Sequence, residues 1–116
     1  MILNDIKEKL LEVDPVVFYG MVDKSIRETV WNYTVFERKR ISISQNKTSF
    51  SYYFTVRIIR ENFVPEGLDR TVISKVCEIP GMRLADNEPT FDYVAKPNTN
   101  IVVEMLSIDF VRAVKG

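Results

Sequence analysis

WNYTVFERKRISISQNKTSFSYYFTVRIIREN, residues 31–62, decides how this chain folds. In its first half Trp31, Tyr33, Val35, Ile41 and Ile43 share one parity. Asn32, Thr34, Arg38, Arg40, Ser42 and Ser44 take the other, with Phe36 intruding among them. A period of two is the mark of a strand with one face buried. After the polar cluster SQNKTS, residues 44–49, the alternation resumes with Phe50, Tyr52, Phe54, Val56 and Ile58 on one side. Two alternating runs joined by a short turn predict a β-hairpin.

Outward from the hairpin, VVFYGMV (16–22) is a short extended run, and DKSIRETV (23–30) is either a short helix or a loop. ILNDIKEKLLEVD (2–14) places Ile2, Ile6, Leu10 and Val13 on one helical stripe. The helix stops at Asp14, because the residue before a proline is pushed out of helical geometry. On the other side, FVPEGLDRTVISKVCEIPG (63–81) carries a second helix with Leu68, Val72, Ile73 and Val76 as its stripe, ended by Ile79-Pro80-Gly81. MRLADNEPTF (82–91) reads as loop, DYVAK (92–96) as a short strand, PNTN (97–100) as a turn and the run from Ile101 as a long strand. The expected class is α+β: an antiparallel sheet of about four to five strands with two main helices packed on one face, in one domain spanning residues 1–116.

Composition narrows the chemistry. The 116 residues are 46% hydrophobic and 28% charged, as in an ordinary globular domain. Sixteen basic residues balance sixteen acidic ones, so no net charge draws the chain to nucleic acid or an anionic membrane. Histidine is absent, which excludes Ser-His-Asp and Cys-His nucleophiles and imidazole metal ligands. Cys77 is the single cysteine, so no intrachain disulfide forms; beside the second helix's stripe it reads as an inert, partly buried thiol. No run approaches the apolar length of a membrane span, and the start, MILNDIKEKL, is too charged for a signal peptide. Synthesis in the cytoplasm is the expectation.

The remaining constellations are sparse. Asp86, Glu88 and Asp92 read as a solvated loop, with no nucleophile or phosphate cradle beside them and no EF-hand spacing. The run Arg38-Lys39-Arg40 is the densest basic spot. On a regular strand Arg38 and Arg40 share a face, either plain solvent surface or a wall toward an acidic partner or nucleic acid. FSYYFTV (50–56) places Phe50, Tyr52 and Phe54 with the core face, leaving only Tyr53 among polar neighbours, so base stacking on this strand is not expected. The closing strand is unusual in being apolar on both sides: Val102, Leu106, Ile108 and Phe110 on one, Ile101, Val103, Met105 and Val111 on the other. Its second side is covered either by loops of the same chain or by a neighbouring copy; in the second case Val103, Met105 and Val111 are the candidate subunit interface.

Several phrases carry a family resemblance. VFYGMVDKSIRETVWNYTVFERKR (17–40), YYFTVRIIRENFVPEGLD (52–69), EIPGMRLAD (78–86) and FDYVAKPNTNIVVEMLSIDFVRAVKG (91–116) follow an N-terminal helix. In that order they resemble the small minor capsid or tail-completion (tail terminator) proteins of long-tailed bacteriophages and prophages. The resemblance implies a non-enzymatic structural subunit without cofactor or metal. It implies a hexameric ring on the head-proximal end of the tail tube that stops tube growth and offers the head a joining surface. Implied partners are further copies of the chain, the major tail protein, a head-neck connector or stopper protein, and DNA or the tape-measure protein passing through the lumen; no membrane is involved. The implied location is the host bacterial cytoplasm during assembly and the virion afterwards. Arg38 and Arg40 become candidates for the lumen or rim, and residues 60–69 and 83–92 for the ring faces. A head-completion or stopper protein, and a small nucleic-acid-binding module using Arg38 and Arg40, stay open as alternatives.

Overall fold

The computed structural model describes residues 1–23, 25–26 and 30–115, without the side chain of Lys115. Helix α1 runs Ile2–Leu11 and buries Ile6 and Leu10, one turn apart on the predicted stripe. The Asp14 amide donates to the Leu10 carbonyl at 2.8 Å, closing the last turn before Pro15. Helix α2 runs Leu68–Val76 and buries Val72 and Val76. Gly67 precedes it at φ 93°, a backbone that side-chain-bearing residues rarely adopt. Both helices lie on the same side of one sheet, where Lys9 meets Glu78 at 2.8 Å and Lys75 meets Glu12 at 3.4 Å across their ends.

The strands are β1 (Val17–Tyr19), β2 (Tyr33–Ile43), β3 (Ser49–Glu61), β4 (Met82–Leu84), β5 (Thr90–Ala95) and β6 (Val102–Lys115). Their order is β1-β2-β3-β6, with β4 and β5 both on the far edge of β6, one against residues 110–112 and the other against 102–107. The sheet therefore has six strands rather than four to five, and it is mixed. β1 lies parallel to β2, Phe18 opposite Val35. The segment expected as loop contains β4 and the first residues of β5. The reading of residues 23–30 falls largely on Lys24, Arg27, Glu28 and Thr29, which lie outside the described residues.

The hairpin forms as expected, but its alternation does not survive its length. Arg38 pairs with Phe54 and Arg40 with Tyr53, leaving Lys39 as an extra, unpaired residue. This bulge exchanges the faces beyond it. Thr34 and Phe36 oppose Ile58 and Val56 on the helix side, where Ile41 and Ile43 then follow opposite Tyr52 and Phe50. Tyr33 and Val35 lie on the other side with Arg40 and Ser42. Phe36, the intruder in the sequence pattern, is 2% exposed and belongs to the main core with Phe54, Val56, Ile58, Leu106 and Ile108. Arg38 and Arg40 do not share a face, contrary to the expectation from period two.

The second side of the sheet has its own smaller core. Tyr33, Val35, Ile59 and Val103 pack there, with Val16, Phe18, Trp31 and Met105 against them. Farther along, Ala85 and Asn87 close over β6: the Ala85 amide donates to the Asp109 carbonyl at 2.9 Å and the Asn87 side-chain amide to the Asp109 carboxylate. The chain thus covers both sides of its closing strand itself. Val103 and Val111 are each 1% exposed and Met105 is half-buried. Val103 and Val111 are interior positions of one subunit, which leaves only Met105 of the three with surface that a neighbouring copy could reach.

Candidate interaction surfaces

Two buried carboxylates pin the sheet, Asp14 on the helix side and Asp109 on the second side. Asp14, at the end of α1, accepts from the Thr34 hydroxyl at 2.7 Å, the Val16 amide at 3.0 Å and the Arg60 guanidinium at 2.8 Å. Arg60 also donates to the carbonyls of Tyr33 and Ile59, so one ion pair joins a helix end to two strands. Asp109, in the middle of β6, accepts from the Thr55 hydroxyl at 2.7 Å and from Lys39 and Asn87, each at 2.5 Å. Burial pushes the Asp109 carboxyl up, but hydrogen bonds from Lys39, Thr55 and Asn87 and the charge of Lys39 outweigh it and hold its pKa below the ordinary carboxylate value. Lys39, the bulged residue, is thereby tied to the strand two places away. These are structural fasteners with their hydrogen-bonding capacity met, as buried ionised groups require.

The expected acids and thiol carry no site. Asp86, Glu88 and Asp92 are exposed; Glu88 and Asp92 rim a polar groove of about 490 Å³ above Asp109. Among the described residues no three His, Cys, Asp or Glu side chains are placed to hold a metal ion. Cys77 is half-buried, and burial pushes its thiol pKa up against a lowering hydrogen bond from the Leu84 backbone. A thiol held protonated is a poor nucleophile. No helix among the described residues is long and apolar enough to cross a membrane.

Two other surfaces are less neutral. Beside the start of α1, the exposed half of the hairpin and the end of β6 enclose a groove of about 650 Å³. Its floor is Ile2, Ile41, Tyr52 and Val114, and Arg38, Arg40 and Arg112 stand around it. Arg40 lies over the Tyr53 ring, 3.7 Å from its centre. Among the described residues no carboxylate comes within ion-pair distance of these three guanidinium groups. The sequence flagged Arg38 and Arg40 but not Arg112, which strand pairing brings across from 72 residues beyond Arg40, opposite Tyr52.

At the other end of the same sheet face, residues 64–70, β5 and the start of β6 line a hollow of about 400 Å³. Glu66, Asp69 and Glu104 outnumber Arg70 there. Glu104 accepts from the Val64 amide at 2.8 Å and from the Tyr93 hydroxyl, a hydrogen bond that raises the Tyr93 pKa above its ordinary value, with burial and the carboxylate's charge adding to it. All of β5 is exposed, with Phe91 at 52% and Tyr93 at 61%, and Phe63 projects nearby. Exposed aromatics clustered on an edge strand mark a contact surface more often than scattered single ones do. Residues 60–69 and 83–92, the expected ring faces, contain Val64 to Gly67, Asp69 and Phe91 of this surface, whereas Tyr93, Glu104 and Leu106 join it only through strand pairing.

No protein-family model matches the chain, and neither does any curated protein sequence. Solved structures do share its fold. The type 4 fimbrial biogenesis protein PilO from Pseudomonas aeruginosa is similar over 99% of this chain and 67% of its own, with a TM-score of 0.55 and 14% identity. A chain of the virion of a native gene transfer agent particle is similar over 96% of this chain and 92% of its own, with a TM-score of 0.51 and 11% identity. At these identities the likeness is one of fold.

Proposed function

We propose that this chain is a non-enzymatic structural subunit of a phage or prophage tail, closing the head-proximal end of the tail tube as a ring. The observation that carries the reading is the likeness to a gene transfer agent virion chain, which spans nearly the whole of both chains. It agrees with the tail-completion phrases in the sequence. In this role the ring stops growth of the major tail protein and presents a joining surface to the head-neck connector. The physical requirement is a subunit whose contacts close by rotation, since contacts that do not close build a filament. An exposed edge strand and an exposed hairpin half on a well-fastened interior offer surface for such contacts. Residues 60–69 and 83–92, the connections at the sheet's margins with the strand and helix ends that flank them, would supply the ring's faces.

Deleting the reading frame tests the proposal. The expected outcome is DNA-filled heads and separate tails with uneven, overgrown head-proximal ends. Normal joining and normal tail ends would overturn it. Heads that lose their DNA while tails end normally would favour the head-completion reading. The likeness to PilO over 99% of the chain favours a second reading, a component of a pilus-type assembly; it expects the protein in an envelope fraction rather than in purified particles. Nucleic-acid binding at Arg38 and Arg40 is the lesser reading: the two leave β2 on different faces but border one groove, and the chain carries no net positive charge.

A further inference from the structure

The basic groove and the acidic hollow belong together. Both open on the helix side of the sheet, at opposite ends of a molecule 53 Å long and about half as wide. Glu104 and Arg112, one from each, are eight residues apart on β6, about 26 Å at the rise of a strand. No residue of one surface can therefore neutralise the other within the same chain. A chain with no net charge thus carries two separate patches of opposite sign.

We propose that the two surfaces are the two halves of one head-to-tail contact between copies of this chain, the Arg38–Arg112 groove of one copy receiving the Glu66–Asp69 hollow of the next. The occupant is argued from complementarity. The groove offers guanidinium groups that have no carboxylate partner among the described residues, over an apolar floor; the hollow offers carboxylates beside Phe91 and Tyr93. Arginine pairs bidentately with carboxylates and stacks on aromatic rings, and arginine and tyrosine are enriched among the residues that carry binding energy. Ile41 at 59% and Ile43 at 55% exposed supply apolar area on one side, as Phe91 at 52% and Tyr93 at 61% do on the other. Different patches on the two partners make the contact heterologous, the kind that generates rings. The inference rests on the ring reading above and adds to it the residues that join one subunit to the next.

The test is a charge exchange. One variant carries Arg38→Glu with Arg112→Glu, the other Glu66→Lys with Asp69→Lys; Glu104 is left alone because it holds Val64 and Tyr93. Sedimentation velocity is run at about 0.01 M salt, where screening is weak, and at protein up to roughly 1 mM, enough to populate weak contacts. Wild type is expected to self-associate and to dissociate as salt rises. Each variant alone is expected to stay monomeric, because like charges then face each other. The equimolar mixture is expected to associate again, which neither misfolding nor loss of a different interface can produce. A monomeric wild type under these conditions, variants that associate as well as wild type, or a mixture that stays monomeric would each overturn the contact. Its failure is separable from failure of the ring reading, because finding the protein at tail ends is scored on purified particles. Variants that still cap tails would leave the function standing with a different contact.

Discussion

Strand β2 is two strands of different character divided at Lys39. Tyr33 to Phe36 are all buried, with a helix-side core below and the smaller core above. Arg38 to Ile43 are all exposed, although Ile41 and Ile43 are as apolar as anything in the first half. The difference is one of coverage. The first half is sandwiched between α1 and α2 on one side and the segment around Phe18 and Trp31 on the other. The second half runs past both layers with β3 and β6 as a projecting arm. Alternating hydrophobicity marks which residues share a face, but whether that face is covered depends on how far the other layers reach. An apolar face left uncovered in this way is the natural place for contact with another molecule.

The contrast can be broken most sharply in the buried half. Phe36→Ala should cost about 4 kcal/mol, the usual loss for a large side chain removed from a core. Ile41→Ala in the exposed half should stay within about 0.5 kcal/mol. Urea unfolding of the two variants measures both, and equal losses would mean that the arm is packed in solution. Next in size is Asp14→Ala, expected to cost about 3 kcal/mol because Arg60 is left buried without its carboxylate.

Asp109 sharpens the comparison at the bulge itself. Its folded pKa is lowered, so its stabilising contribution is complete above the ordinary carboxylate value of about 4 and is lost as pH falls through the folded pKa. The stability difference between wild type and Asp109→Asn should therefore shrink on acidification below about pH 4. A difference that stays constant there would mean that the hub does not depend on charge. The smallest effect is at Cys77: alkylation near neutral pH should be slower than that of a free thiol and should speed up on unfolding.

Much of this was legible in the sequence. The two helices, their stripes and the hairpin follow from periodicity and proline placement, and they sit where the pattern put them. The bulge was not read, because charged residues at 37–40 give either parity the same appearance. Its signal was Phe36, an apolar residue on the wrong parity that is correct once the register shifts. Parallel pairing of β1 was invisible, since a three-residue strand carries no mark of its partner's direction. The apolar second side of β6 asks for cover, and at Val103 and Met105 Phe18 and Trp31 provide it from distant parts of the chain, while Ala85 and Asn87 bond to Asp109. The groove and the hollow needed tertiary structure, because Arg112 and Arg38, like Glu66 and Tyr93, meet only through β6.

The most direct measurement for the proposed role is light scattering on the protein mixed with tail tubes from the particle whose genome encodes it. The account expects mass to saturate at one small ring per tube, with the added density at a single end by negative-stain microscopy. Tubes that gain no mass, or that gain it along their whole length, would contradict a subunit that closes the tail.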